Sequence, residues 1–190
     1  MSLKGSQTEK NLLAAFAGES QARNRYTFAA KVAKKEGYEQ ISAVFLATAE
    51  NERQHAKRFF RFLEGGMVEV VAKYPAGIIG STLENLRASA AGENEEHTII
   101  YPEFARIAKE EGFPQIAAQF NTIAKVEMHH EARYLKLADL VDQGAYFKRG
   151  APVKWVCREC GYIHEGPNAP AVCACCEHPQ SHFELLVEAY

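Results

Sequence analysis

The sequence predicts a mainly α protein: a four-helix bundle with one long crossover, followed by a small C-terminal domain held together by metal. Three observations carry this. Apolar residues recur at helical spacing through roughly the first 145 positions. A stretch of that region repeats at an offset of 75 residues. All five cysteines fall between Cys157 and Cys176, and four of the seven prolines and the only tryptophan, Trp155, also lie after residue 145.

The repeat sets the elements in order. Tyr26 through Phe59 aligns with Tyr101 through Tyr134, matching Gly37 with Gly112, Gln40 with Gln115, Ile41 with Ile116 and Phe45 with Phe120. Each copy reads as a helical hairpin. Ser6-Gln7-Thr8-Glu9 and Ser81-Thr82-Leu83-Glu84 have capping-box form and open the first helix of each hairpin. Gly37 and Gly112 stand where a helix ends in a left-handed residue, and Pro114 suits the first turn of the next helix. The predicted helices are 8–36, 39–64, 81–111 and 114–143. Gly65 to Gly80 is too long for a simple turn and forms the crossover. The predicted division is a bundle over 1–145, a linker around Gly144 to Pro152, and a small domain over 152–190, a size that seldom folds without a staple.

Composition excludes several classes. With 190 residues, 47% of them hydrophobic, the chain has material for a packed core. Lys+Arg 22 against Asp+Glu 24 leaves a net charge of -2, without the basic field of a nucleic-acid or anionic-membrane binder. No apolar run approaches the ~18 residues of a membrane span. The polar start, lacking a small-residue cleavage pattern, makes the cytoplasm the expected location.

The apolar stripes carry charges. Glu19 sits among Leu12, Phe16, Ala22 and Tyr26; Glu52 among Phe45, Ala49, Ala56 and Phe59; Glu127 among Phe120, Ile123, Ala124 and Tyr134. Burying such a carboxylate unpaired costs several kcal/mol, and no matching set of Lys or Arg shares the stripes. Glu52 with His55 and Glu127 with His130 are each i and i+3, so each pair lies on one helix face. Bundle sites for two iron or manganese ions use two such Glu-x-x-His elements and one Glu from each of the other two helices. Glu19 and Glu93 are those two, since Ala17-Gly18-Glu19 matches Ala91-Gly92-Glu93. Glutamates and histidines on long helices usually face water. Six that obey a hairpin repeat do not. Glu50, Glu95 and Glu131 read as exposed, and His97 and His129 as neighbours of the set.

One feature breaks the symmetry. The offset from Glu19 to Glu93 is 74 rather than 75, so the third helix holds one extra residue before Tyr101. A helix absorbs such an insertion as a π-bulge, often at a functional site. The same segment supplies Glu96, on the face of Glu93 and with no counterpart in the first copy, where Ala22 holds that place. Glu96 is the seventh candidate ligand.

Cys157-x-x-Cys160 and Cys173-x-x-Cys176, twelve residues apart, form two knuckles around one tetrahedral metal. Cys175 occupies a non-ligand position. Zinc and iron both fit four thiolates. Trp155, Tyr162 and Phe183 supply a small aromatic core beside them.

Together the two parts resemble the rubrerythrin family, a ferritin-like di-iron bundle followed by a rubredoxin-like β domain. The resemblance runs from Ala14-Ala15-Phe16-Ala17-Gly18-Glu19 to His178-Pro179-Gln180-Ser181-His182-Phe183-Glu184. It implies a di-iron site on Glu19, Glu52, His55, Glu93, Glu96, Glu127 and His130, with Glu52 and Glu127 bridging and one iron moving between His55 and Glu96. It also implies one iron on Cys157, Cys160, Cys173 and Cys176, with Tyr26 and Tyr101 near the iron pair. The second knuckle departs from the rubredoxin pattern at Ala174 and Glu177, which replace Pro and Gly. The implied activity is peroxidase: hydrogen peroxide is reduced to water, in oxidative-stress defence, with electrons from a separate NADH-linked reductase or rubredoxin. A homodimer or larger homo-oligomer with head-to-tail pairing is implied as well. The rival readings are a ferritin-like iron-oxidising protein and a non-enzymatic electron carrier.

Overall fold

The computed structural model describes residues 2–188; Met1, Ala189 and Tyr190, which the predicted domains include, lie outside the described residues. Helix α1 spans Gln7–Lys35, α2 Glu39–Phe60, α3 Thr82–Glu95, α4 Tyr101–Glu110 and α5 Pro114–Asp142. Between α3 and α4 lies a π-helical turn, Glu96–Ile100, so the third rod of the bundle runs through α3, the turn and α4. That turn holds the insertion indicated by the change of offset. α1 packs on α2, and α3 and α4 pack on α5. The second helix ends at Phe60 rather than 64, because Phe62 and Leu63 close a tight turn onto Phe59 and Phe60 ahead of the left-handed Gly65 and Gly66.

The helix ends follow local chemistry. Ser81 and Glu84 make a complete capping box. Ser6 makes only half of one: its N–H already bonds to Leu3 O, so the Glu9 carboxylate accepts from the Gly5 N–H instead. Gly37 and Gly112 have φ of 85° and 82°, the left-handed ends predicted for them. The residues just before these glycines tie the hairpins together. Glu36, at the end of α1, accepts from the Thr82 N–H at 2.9 Å. Glu111, at the end of α4, accepts from the backbone N–H groups of Gln7 and Thr8 and from the Thr8 hydroxyl at 2.6–3.0 Å. Each carboxylate therefore sits at the positive end of a helix in the other hairpin.

Two apolar clusters fill the bundle. One gathers Tyr26, Phe45, Leu86 and Tyr134; the other gathers Leu12, Phe59, Tyr101 and Phe120. On α1, α2 and α5 the candidate ligands lie in sequence between residues of the two clusters. Glu93, on α3, likewise falls between Ala90 of one cluster and Tyr101 of the other. The bundle thus has an apolar core at each end and a polar layer in the middle.

Strands β1 (Lys148–Cys157), β2 (Ile163–Asn168) and β3 (Phe183–Leu185) form an antiparallel sheet in the order β2-β1-β3. Pro152 sits in the central strand, which regular pairing forbids, and the β1–β2 register is broken between Lys148 and Val153. Trp155, Cys157, Ala169, Cys173 and Phe183 make the small core, with Tyr162 packed against it. The predicted linker is not a free tether. Tyr146 is buried in the bundle and donates to Gln40 Oε1 at 2.9 Å, Phe147 packs against both the bundle and the sheet core, and β1 begins at Lys148.

Glu111→Ala should lower the urea midpoint of unfolding, and Glu36→Ala should lower it less, because the first removes three capping hydrogen bonds and the second one.

Candidate metal centres

Four helices contribute to the polar layer: α1 with Glu19, α2 with Glu52 and His55, α3 with Glu93, and α5 with Glu127 and His130. Their ligand atoms form two quartets, each with all atoms within 4.8 Å of one another: Glu19, Glu52, His55 and Glu127 in one, Glu52, Glu93, Glu127 and His130 in the other. Glu52 and Glu127 belong to both. All six residues are buried, and His55, at 9%, is the most exposed.

The histidine geometry is that of ligands. His55 Nδ1 lies 2.8 Å from Glu52 Oε2 and 2.9 Å from Glu127 Oε1. His130 Nδ1 lies 2.8 Å from Glu127 Oε2 and 3.3 Å from Glu52 Oε1. These distances are short, yet both Nδ1 atoms, both oxygens of Glu52 and of Glu127, and one oxygen each of Glu19 and Glu93 lack a properly directed hydrogen bond. Eight buried polar atoms facing one another without partners carry a heavy desolvation cost in a metal-free core. They fit a pair of cations.

The outer atoms are satisfied. Tyr26 Oη donates to Glu93 Oε1, and Tyr101 Oη donates to Glu19 Oε1, a reciprocal pair related by the repeat. His130 Nε2 meets Asn51 Oδ1 at 3.2 Å. Sequence reasoning missed Asn51, because its counterpart in the repeat is the apolar Val126. Glu131 was expected to be exposed. It is instead partly buried, meeting His97 Nε2 of the π-turn at 2.6 Å and Asn94 Nδ2 of α3 at 2.9 Å, a clasp to α5 that no local pattern signals.

Electrostatics in the protein alone show the strain that ions relieve. Burial, with the Glu127 and Glu52 charges, raises Glu19 well above the carboxylate range against the pull of His55. Burial also pushes Glu93 up to about 8. Burial would raise Glu52, but it moves the other way, since the close approach and charge of His130 and His55 outweigh that burial. Burial would lower both histidines, but the surrounding carboxylates raise them, His130 to about 11. Burial and neighbouring carboxylates raise Tyr26 and Tyr101, so both stay protonated donors.

Glu96 stands apart. It rides on the π-turn, half-buried, and belongs to neither quartet. Its carboxyl is raised by burial and by the charges of Glu19, Glu93, Glu127 and Glu52. The place beside Glu19 is taken by His55 in this structure.

In the small domain the Sγ atoms of Cys157, Cys160, Cys173 and Cys176 lie within 4.8 Å of one another, with 157 to 176 at 3.7 Å and 160 to 173 at 3.6 Å. Four sulfurs each about 2.3 Å from one tetrahedral ion stand about 3.8 Å apart, so these two separations fit a single ion. Cys175 is exposed and outside the group. The knuckles share one turn: Gly161 N–H bonds to Cys157 O and Glu177 N–H to Cys173 O, with φ of 75° at Gly161 and 62° at Glu177. Glu177 takes the left-handed backbone where the first knuckle has glycine.

Residues 10–138 match the family model described as Rubrerythrin, and residues 155–184 match the one described as Rubrerythrin, rubredoxin-like domain. The chain belongs to the rubrerythrin family. It is 62% identical to Rubrerythrin of Porphyromonas gingivalis, over 100% of this chain and 94% of that protein. Among solved structures it is similar to the partially reduced state of nigerythrin, with a TM-score of 0.64 and 33% identity over 97% of this chain and 88% of that one. A bacterioferritin of Mycobacterium tuberculosis matches with a TM-score of 0.66 over 75% of this chain and 90% of that one; at 19% identity it shows the ferritin-like fold alone. As a rubrerythrin-family protein the chain has a di-iron centre in the bundle and one iron in the rubredoxin-like domain.

Glu177→Gly should stabilise the small domain by roughly 0.5–1 kcal/mol, the left-handed penalty less the added freedom of the unfolded chain, with the visible spectrum of the iron unchanged. The metal-free protein should lose thermal stability as pH rises. Folded Glu93 keeps its proton up to about 8, whereas the unfolded carboxyl releases it near 4.5, so its stabilising contribution fades as pH climbs through that window. His130, raised from 6.5 to about 11, acts in the same direction. Melting of chelated and iron-loaded protein at pH 6 and 8.5 checks this, with the decline confined to the chelated sample.

Proposed function

We propose that this chain reduces hydrogen peroxide to water, taking electrons singly through the four-cysteine iron from a separate NADH-linked reductase or rubredoxin, as an oxidative-stress defence in the cytoplasm. One observation carries the proposal: two quartets that share Glu52 and Glu127, so that two metal positions lie side by side in one buried layer. In this reading Glu19, Glu52, His55, Glu93, Glu127 and His130 would hold the two irons, with Glu52 and Glu127 common to both positions and Glu96 the alternative to His55. Cys157, Cys160, Cys173 and Cys176 hold the relay iron.

Splitting the O–O bond consumes two electrons and two protons, and a pair of adjacent irons, when bound, supplies both electrons together. The chain does the rest. Tyr26 and Tyr101 donate hydrogen bonds to Glu93 and Glu19 and fix the carboxylates from outside. The two apolar clusters keep bulk water from both ends of the layer. Of the seven candidates, Glu96 alone is half-buried and His55 is the least buried of the other six, so the approach for a small neutral oxidant is on their side. Among the described residues no helix is long and apolar enough to cross a membrane. Met67, Val71 and Ile78 on the crossover are almost fully exposed, which supports a homodimer or larger homo-oligomer that covers them.

Stopped-flow oxidation of the fully reduced protein tests the activity. Peroxide should act at least an order of magnitude faster than oxygen; equal rates would favour the iron-oxidising reading instead. Glu96→Ala should slow turnover with peroxide while the bundle retains two irons, as measured by metal analysis.

A further inference from the structure

Among the described residues, one further group of potential ligands shares no residue with the bundle quartets or the four cysteines. Glu159, His178 and His182 each offer an atom within 4.8 Å of the others. They come from three separate pieces of the small domain: the interior of the first knuckle, the segment after the second, and the short 3-10 turn Gln180–His182 that leads into β3. Glu159 is exposed and both histidines are half-buried, so the group opens to solvent.

The fold fixes the backbone of both histidines. The Arg158 N–H bonds to His182 O at 2.8 Å, and the Cys173 N–H bonds to His178 O at 2.8 Å. Each histidine backbone is therefore pinned to a knuckle. The imidazoles lie 4.7 Å apart between centroids, at 60°. His178 Nδ1 faces Cys176 Sγ at 3.3 Å; with that sulfur a metal-bound thiolate, Nδ1 donates to it and Nε2 is the ring atom left to bind an ion. His182 Nδ1 lies 3.1 Å from Glu159 Oε1. Two ligands about 2.0–2.1 Å from one tetrahedral ion stand about 3.3 Å apart, so this pair is already near metal spacing.

We propose that Glu159, His178 and His182 form a third metal site, which takes one divalent cation of the zinc class with water in the fourth position. Two imidazoles and a carboxylate without thiolate suit zinc, nickel or copper better than magnesium or calcium, which favour all-oxygen shells. The site has a structural consequence. With Nδ1 turned to Glu159, His182 Nε2 lies 3.9 Å from Glu39 Oε1 at the start of α2, so the ring that would hold the ion also reaches the bundle. This site is independent of the peroxidase reading.

Zinc chloride is the probe, because it is redox-inert. Iron-loaded full-length protein, titrated by calorimetry and then desalted for metal analysis, should take up one additional zinc with no loss of iron and an unchanged visible spectrum. His182→Gln and Glu159→Gln should each weaken that uptake at least tenfold. Cys175→Ser, which removes the exposed thiol nearby, should leave it unchanged. His178 is spared because it touches an iron ligand, and the visible iron spectrum of each variant reports that the knuckles have folded. The proposal is overturned if the wild type takes up no zinc, if uptake comes at the expense of iron, if both Gln variants bind zinc as the wild type does, or if binding is lost in Cys175→Ser.

Discussion

The bundle is organised around one electrostatic demand: carboxylates from four helices converge in a layer that water does not reach. Neither hydrogen bonds nor positive side chains satisfy their inner oxygens, and the two histidines among them cannot neutralise the set. The apolar clusters above and below supply the packing energy, and the layer between them is tolerable only with cations in place. Folding and metal binding are therefore coupled, and the ligand geometry is held by the same rods that build the core.

The repeat gives the layer an approximate two-fold character. Tyr26 serves Glu93 as Tyr101 serves Glu19, and Glu36 caps α3 as Glu111 caps α1. The departures from symmetry are where chemistry differs between the halves. The π-turn places Glu96 over one side only, and it is clasped by Glu131 through His97 and Asn94. Asn51 supports His130 and has no equivalent beside His55, since Val126 stands at its repeat position. Two metal positions built from duplicated parts thus meet unequal surroundings.

The small domain is a different solution to stability. Its sheet is too small to hold itself by apolar burial, and its core is assembled against two of the four thiolates, Cys157 and Cys173. It is also fastened to the bundle. Tyr38 stacks on Phe147, Tyr146 bonds to Gln40, and Phe147 joins the two cores. The left-handed Glu177 shows that the metal knuckle dictates the backbone even where the residue resists it.

Most of this was legible in the sequence, for a definable reason. Helical period, an internal repeat and Cys-x-x-Cys spacing are local signals, and ligands that share a helix face or a knuckle inherit them. Glu52 with His55, Glu127 with His130, both knuckles and the insertion before Tyr101 all follow from spacing alone. The tertiary structure decided what depends on contacts between distant segments. It placed Glu96 outside both quartets, drew Glu131 inward, set Asn51 behind His130, packed the supposed linker, and brought Glu159 to His178 and His182. A repeat reveals which residues are equivalent, but only the packing of whole helices and strands determines which atoms come within bonding distance.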